Sequence, residues 1–354
     1  MRMAFQQVID RGRAALRSKC LRSIQFQAEP LFDAEAALIR QLNCEESLIQ
    51  MVEYGDQLRQ RNVNFHVIGS GGSSIILFVL EMSEVNPIQH DTYFQRFWQT
   101  SSSESPILQI VTDSIGEPDT GEISPPFCVS AHPMTPLEAI PCRLELQVGT
   151  IKTFKLDPAT LESLQAGDTA DVFQLHSDRA RWLLSQIRPA NFEELACVSA
   201  LEQISYTDPA VVINYLELYR GIITARYVTG RRNSTETMQL LPILFQELVM
   251  GRLRRMAKLP WNDTYPFVRA AAKGKIDEQH DLWKSALEAM KANCPEDHEP
   301  LLRRFVESSR WAVCRAHHIA NALTSYKAAY YRTNHRMEFE RVRMQITELA
   351  GNGE

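Results

Sequence analysis

Apolar positions early in the chain recur every three or four residues: Ala36, Ile39 and Leu42, then Leu48, Met51 and Val52. That period predicts helices through residues 5–62, with Asp33 and Glu46 near helix starts. At 62–67 the pattern turns β-like, and Gly69-Ser70-Gly71-Gly72-Ser73-Ser74 follows at once. The apolar run behind it predicts a buried helix of about ten residues. A strand, a Gly/Ser turn and a buried helix form a layout in which turn amides and a helix N-terminus face an anion.

Residues 100–126 are rich in turn formers around one strand, 107–112. From 128 to 156 short extended pieces alternate with Pro133, Pro136 and Pro141. The Val172-Phe173-x-Leu175 alternation within 167–177 suits a half-buried strand. Past Pro158 the period is otherwise helical, over 161–165, 177–187, 192–201, 210–218, 238–256, 277–292 and 300–306. A final helix over 318–349 is the longest. The fold class is α+β, a small mixed lobe followed by a larger helical one, divided as 1–62, 63–157 and 158–354.

A hydrophobic content of 44% with 23% charged residues excludes wholesale disorder. The longest apolar run, 75–80, stops at Glu81, far short of the roughly 20 residues of a membrane span. The first residues lack the apolar stretch of a secretory signal. Seven cysteines form no CxxC pair, so free thiols in a cytoplasmic, reducing setting are expected and a zinc site is not. No HExxH, Walker loop, GxGxxG or Ser-His-Asp order is present. The net charge of -5 hides an asymmetry: residues 220–343 hold 22 basic against 13 acidic side chains. Such a stretch is either a phosphate-facing surface or a set of solvated helix faces.

Read in order, several blocks resemble the polymerase core of the bacterial DNA polymerase III alpha subunit. Gly69-Ser70-x-x-Ser73-Ser74 is similar to that family's G-S-x-x-G-S loop, and Asn86-Pro87 with Tyr93-Phe94-Gln95-Arg96-Phe97 to its D-P and L-F-E-R-F. The run from Gly167 to Ser177 is similar to G-D-T-x-x-V-F-Q-L-E-S, and Arg188-Pro189-x-x-Phe192-Glu193-Glu194-Leu195 to K-P-x-x-F-E-D-L. Phe245-Gln246-Glu247-x-Val249-Met250 resembles Y-Q-E-Q-V-M, and Arg269-Ala270-Ala271-x-Lys273-Gly274-Lys275 resembles R-A-M-G-K-K. The block from Arg315-Ala316-His317 through Ser325-Tyr326 to Ala329-Tyr330 resembles K-S-H-A-A-A-Y-A-L-I-S-Y-Q-T-A-Y. The resemblance spans roughly 35–343. It implies a reduced palm-like lobe and a larger helical fingers-like lobe. It leaves no counterpart for the family's phosphoesterase-like domain, most of its thumb, or its clamp- and single-strand-binding regions.

The resemblance also implies where chemistry belongs. Nucleotidyl transfer uses two divalent metals held by palm carboxylates. Carried over from Phe97, the family's Asp-x-Asp positions fall on Ile107 and Gln109, and the next Asp on Val111. Aliphatic side chains cannot ligate Mg²⁺ and an amide is a poor replacement for an anionic oxygen, so the expectation is a catalytically degenerate site with no metal. The alternative is an active enzyme in which Asp113, Glu117, Asp119 and Glu122 rebuild a carboxylate cluster for Mg²⁺; otherwise they form a solvated acidic loop.

Gly69, Ser70, Ser73 and Ser74 match positions that hold the incoming nucleotide, or else make a tight turn under a packed helix; the family's preceding Arg is Ile68 here. Arg269, Lys273 and Lys275, with Arg315 and His317, match phosphate-contacting positions, or else face solvent. Tyr326, Tyr330 and Tyr331 stack on bases or sit in the core. The expected partners are DNA or nucleotide and a protein, either another chain or a second copy, in replication, repair or a mobile-element or defence system. A pure protein-interaction scaffold is the remaining alternative. No membrane role is expected.

Overall fold

The computed structural model describes residues 3–19, 22–99, 106–113, 125–151, 156–220, 243–276, 280–294 and 298–351. Contacts group the chain into two units, one of 1–98, 102–199 and 316–354, the other of 99–101 and 200–315. This grouping differs from a division at 62 and 157, because the last two helices complete a core begun by the strands.

In chain order the first unit opens with α1 (Phe5–Lys19), α2 (Arg22–Gln41) and α3 (Glu45–Gln60). Next come β1 (Phe65–Ile68), a 3₁₀ turn (Gly69–Ser73) and α4 (Ile75–Val79). β2 (Leu108–Thr112), β3 (Val129–Pro133), α5 (Pro136–Val148), α6 (Pro158–Gln165), α7 (Asp178–Ile187) and the start of α8 (Phe192–Ser205) follow. The second unit holds α9 (Pro209–Tyr219), α10 (Gln246–Arg252), a π-helical turn (Leu253–Ala257), α11 (Trp261–Ala272), α12 (His280–Asn293) and α13 (His298–Trp311). α14 (Arg315–Asn334) and α15 (Arg336–Gly351) end the series. The class is α+β, with a small three-stranded sheet among helices.

The sheet has the order β1-β2-β3, with β2 antiparallel to β1 and parallel to β3. Alternation along the strands gives each face a different core. Val67, Leu108, Ile110 and Val129 join a cluster built from α1 to α4, which includes Phe32, Ile39, Val52, Ile76 and Trp98. Val111 and Ile68 face the other way, toward Ala139, Ile140 and Leu144 of α5, Tyr331 of α14, and Phe339, Val342 and Ile346 of α15. The sheet is thus the middle of three layers.

Four expectations are corrected. Residues 136–148 form helix α5, not extended pieces. Pro136 occupies its first position, where no N–H is missed, and Thr135 and Glu138 make a reciprocal capping box. The buried Val172, Phe173 and Leu175 lie in irregular turns rather than a strand, because Asp171 (φ 60°) and Gln174 (φ 55°) are left-handed. α4 spans five residues, not about ten; Glu81 (φ 62°) ends it, and the Met82 amide donates back to the Leu77 carbonyl. The final helical stretch is two helices that break at His335. The helix expected over 238–256 is observed from Gln246, and positions up to 242 lie outside the described residues. No described helix is long and apolar enough to cross a membrane.

Candidate functional site

The first unit gathers the expected turn, strand and His-bearing helix at one end of the sheet. Gly69 has φ +70°, a conformation that favours glycine, and a Cβ there would lie 2.4 Å from Oε1 of Gln109. A Cβ on Gly71 would meet Leu108 and Val67, so its absence lets the turn lie flat on the strands. The Gly69 amide donates to Nδ1 of His317 at 3.3 Å. An accepting Nδ1 requires a neutral ring. The surroundings agree: burial first, then Arg96 and His66, hold the His317 pKa below the usual value, against the pull of Glu138. Nδ2 of Asn321 lies 3.2 Å from Nε2 and donates to Oε1 of Gln174 at 3.0 Å, and the Ser199 hydroxyl donates to that same oxygen at 2.9 Å. A polar chain thus runs from the turn through α14 to the 167–177 segment and α8. Gly69→Ala should cost about 1–2 kcal/mol through its left-handed backbone and displacement of Gln109; thermal melting against the parent measures it.

The turn serines are turned inward. Ser73 and Ser74 are buried. Ser74 caps α4 by accepting the Leu77 amide at 3.0 Å, and its hydroxyl donates to Oε1 of Glu35. Glu35 also accepts from Trp98 Nε1 (2.7 Å) and the amides of Ile75 (2.9 Å) and Ile76 (3.3 Å). Ser73 and Ser74 thus pack beneath α4, while Gly69 and Ser70 keep some exposure. Burial, opposed by those donors, raises the Glu35 pKa to about 7.

Ile107, Gln109 and Val111 occupy one face of the β2 segment, with Ile107 57% exposed and Val111 buried against α5. Gln109 pairs in register with Ile68 and Ser130, and Val111 with His66 and His132. Asp113 and Glu138 are among the described carboxylates near this face. Asp113, just after β2, receives both Nε and Nη2 of Arg143 at 2.8 and 2.7 Å. Glu138 faces His66 Nε2 at 3.0 Å while capping α5. Glu117, Asp119 and Glu122 lie outside the described residues.

Tyr326 and Tyr331 are buried. The Tyr326 hydroxyl accepts the Asp157 amide at 2.6 Å, and Tyr331 donates to the Gly149 carbonyl at 2.6 Å. Tyr330 is half-buried against Tyr331. The core reading therefore holds for Tyr326 and Tyr331.

In the second unit, Arg269, Lys273 and Lys275 are exposed around the end of α11, and Arg269 donates to Gln99 at 2.9 Å. Glu247 is fully buried and accepts the Arg315 amide at 2.8 Å, while the Arg315 guanidinium lies over the Phe245 ring. The Gln246 amide donates to the Val313 carbonyl, so the Phe-Gln-Glu block ties α10 to the segment before α14.

Two family models match the chain. One, described as the bacterial DNA polymerase III alpha NTPase domain, matches residues 10–111; the other, its finger domain, matches 143–294. Both belong to one protein, and together they take in most of the chain. The chain is DNA polymerase III alpha-like, and divergent. It is 27% identical to the DNA polymerase III subunit alpha of Thermotoga maritima over 183 residues, 52% of this chain and 21% of that protein. It is 23% identical to the Helicobacter pylori subunit over 52% of this chain and 15% of that protein. Against the Halalkalibacterium halodurans subunit it is 21% identical over 321 residues, 85% of this chain and 27% of the relative. The chain thus spans less than a third of the length of these polymerase subunits. The matches stop at Val111 and resume at Arg143, leaving β3 and the start of α5 unmatched.

Glu35, Asn321 and Gln174 are the polar residues of this region that sequence reasoning missed. Glu35 shares the buried face of α2 with Phe32, Ala36 and Ile39, and its partners are 39 to 63 residues away. Glu138 had a signal, the Thr-x-x-Glu spacing of the capping box.

Proposed function

We propose that this polymerase III alpha-like chain is catalytically degenerate. It uses the polymerase framework to hold DNA or nucleotide and to dock on a protein partner, rather than to join nucleotides. One observation carries the reading: the β2 face beside the Gly69 turn presents Ile107, Gln109 and Val111, and the Gln109 amide oxygen fills the space next to Gly69. In-line transfer between two divalent cations needs anionic oxygens on a rigid element. Asp113, next along the chain, is neutralised by a two-pronged Arg143 contact. Arg269, Lys273, Lys275 and the exposed part of the Gly69-Ser70 turn are the groups assigned to phosphate contact.

Primer extension with Mg²⁺ or Mn²⁺ tests the catalytic half. No incorporation is expected, either in the parent or in Gln109→Asp, because two further ligands would still be missing. Incorporation by the parent that vanishes in Asp113→Ala or Asp119→Ala would replace this reading with an active enzyme. Binding to a labelled oligonucleotide across a salt series tests the rest, since contacts to several phosphates weaken steeply as salt rises. Absence of binding at low salt, with Lys273→Glu and Lys275→Glu behaving as the parent, would leave a protein-interaction module.

A further inference from the structure

The π-helical turn Leu253–Ala257 continues α10 and closes on Lys258, which is left-handed at φ 57°. Such turns are rare and recur where a side chain has to be re-aimed. This one carries a dense basic run: Arg252, Arg254, Arg255 and Lys258. Arg254 is used internally, donating to the Leu259 carbonyl and lying 5.0 Å from the centre of the Trp261 ring. Its three neighbours differ. Among the described residues no carboxylate pairs with Arg252, Arg255 or Lys258. Elsewhere arginines rest on acids, as Arg143 does on Asp113, Arg303 on Glu299 and Arg332 on Asp168.

Arg255 and Lys258 are exposed, whereas Arg252 is half-buried, with Nη1 enclosed and donating to no acceptor. An enclosed guanidinium N–H without a partner is unfavourable in the free protein. Burial, then the neighbouring Arg255, draws the Arg252 pKa down to about 10, as expected of a cation lacking counter-charge.

We infer that Arg252, Arg255 and Lys258 form a phosphate-binding ridge for the backbone of a nucleic-acid strand, with the Arg252 fork turning outward onto a phosphate. Arginine suits this role because its planar fork meets two phosphate oxygens at once. Length argues for a strand over a free anion. Six residues separate Arg252 from Lys258, roughly 9 Å of axis at helical rise. Phosphates along one strand recur at about 3.4 Å of axis, so the ridge spans more than one of them. The inference rests on the DNA-binding reading above and adds to it a surface within the finger-domain match, between the Phe245–Met250 and Arg269–Lys275 blocks.

The test is fluorescence anisotropy of a labelled single-stranded oligonucleotide across a salt series, with inorganic triphosphate as competitor. The parent is compared with Arg252→Met, Arg255→Gln, Lys258→Gln and the Arg252→Met/Arg255→Gln pair. Each neutralisation should flatten the slope of log affinity against log salt by about 0.7, and the pair by about twice that. Arg252→Met should also melt about 2 °C higher, since it removes an enclosed unpaired cation, whereas a structural arginine would melt lower when lost. A parent that binds, with variants that keep its slope, overturns the ridge and leaves the DNA reading intact. A parent that binds no oligonucleotide at low salt overturns both. Triphosphate competing as tightly as the oligonucleotide makes this a free-anion site and overturns the strand assignment. The exposed Arg255 and Lys258 variants decide the outcome should Arg252→Met fold poorly.

Discussion

Glu35→Ala should destabilise the first unit by about 4 kcal/mol, while Glu35→Gln should cost about half as much and should change the response to pH. The alanine variant leaves the Trp98 indole N–H, the Ser74 hydroxyl and the Ile75 and Ile76 amides enclosed without an acceptor. Each orphaned buried donor costs about 1–3 kcal/mol, only partly recovered by relaxation. Glutamine keeps the side-chain volume and one carbonyl oxygen, so two of the four donors stay paired while two face its NH2 group. The acid-base behaviour follows from the raised pKa, about 7 in the folded chain against 4.5 for an ordinary glutamate. Because the folded value is higher, the contribution of the protonated form is complete below about pH 4.5 and is lost as pH climbs through 7. Two and a half pH units correspond to about 3 kcal/mol. Denaturant melts at pH 5 and pH 8 should therefore show the parent losing about that much relative to Glu35→Gln. A flat difference would mean that the four donors keep the carboxylate ionised throughout.

Lys327→Ala should cost about 3–5 kcal/mol, the usual cost of removing one member of an enclosed ion group. Lys327 projects from α14 with Nζ at 2.6 Å from Glu84 and 3.0 Å from Glu145, and its side chain is only 9% exposed. The two carboxylates, acting against burial, hold its pKa above that of free lysine. The acids respond differently. Burial dominates at Glu145 and pushes its pKa up, whereas the lysine wins at the half-exposed Glu84 and pulls it down. Glu84→Ala should accordingly cost about 1 kcal/mol. Pairing Lys327→Met with Glu145→Gln should recover part of the loss, because no charge is then left stranded. Urea melts of the single and double variants measure this. A loss under about 1 kcal/mol for Lys327→Ala would mean that the group is solvated rather than enclosed.

Much of the fold was legible because its signals are local. The strand at 107–112, the glycine turn and the helices after Pro158 follow from period and turn chemistry. The Gly69 turn and the helix carrying His317, both given phosphate- or nucleotide-contacting positions by the family resemblance, are joined by the Gly69 to His317 hydrogen bond. α5 was obscured because Pro136 and Pro141 read as breakers, although one lies where a helix tolerates proline. The 167–177 segment alternated like a strand, and nothing in its composition announced left-handed Asp171 and Gln174. Glu35 and Lys327 were illegible for another reason. Charged residues spaced along amphipathic helices look solvent-facing, and only contacts to residues dozens to hundreds of positions away draw them inside.

The cores of the first unit draw on widely separated stretches. Val111, Ile140 and Leu144 are covered by Tyr331, Phe339, Val342 and Ile346. During synthesis these covering residues leave the ribosome some two hundred positions after the strands they protect. The intervening unit, made almost wholly of residues 200–315, is available in full beforehand. A nascent chain would therefore carry an unfinished sheet with one greasy face bare while its middle segment compacts. Holdase chaperones that recognise such faces would be engaged in that interval.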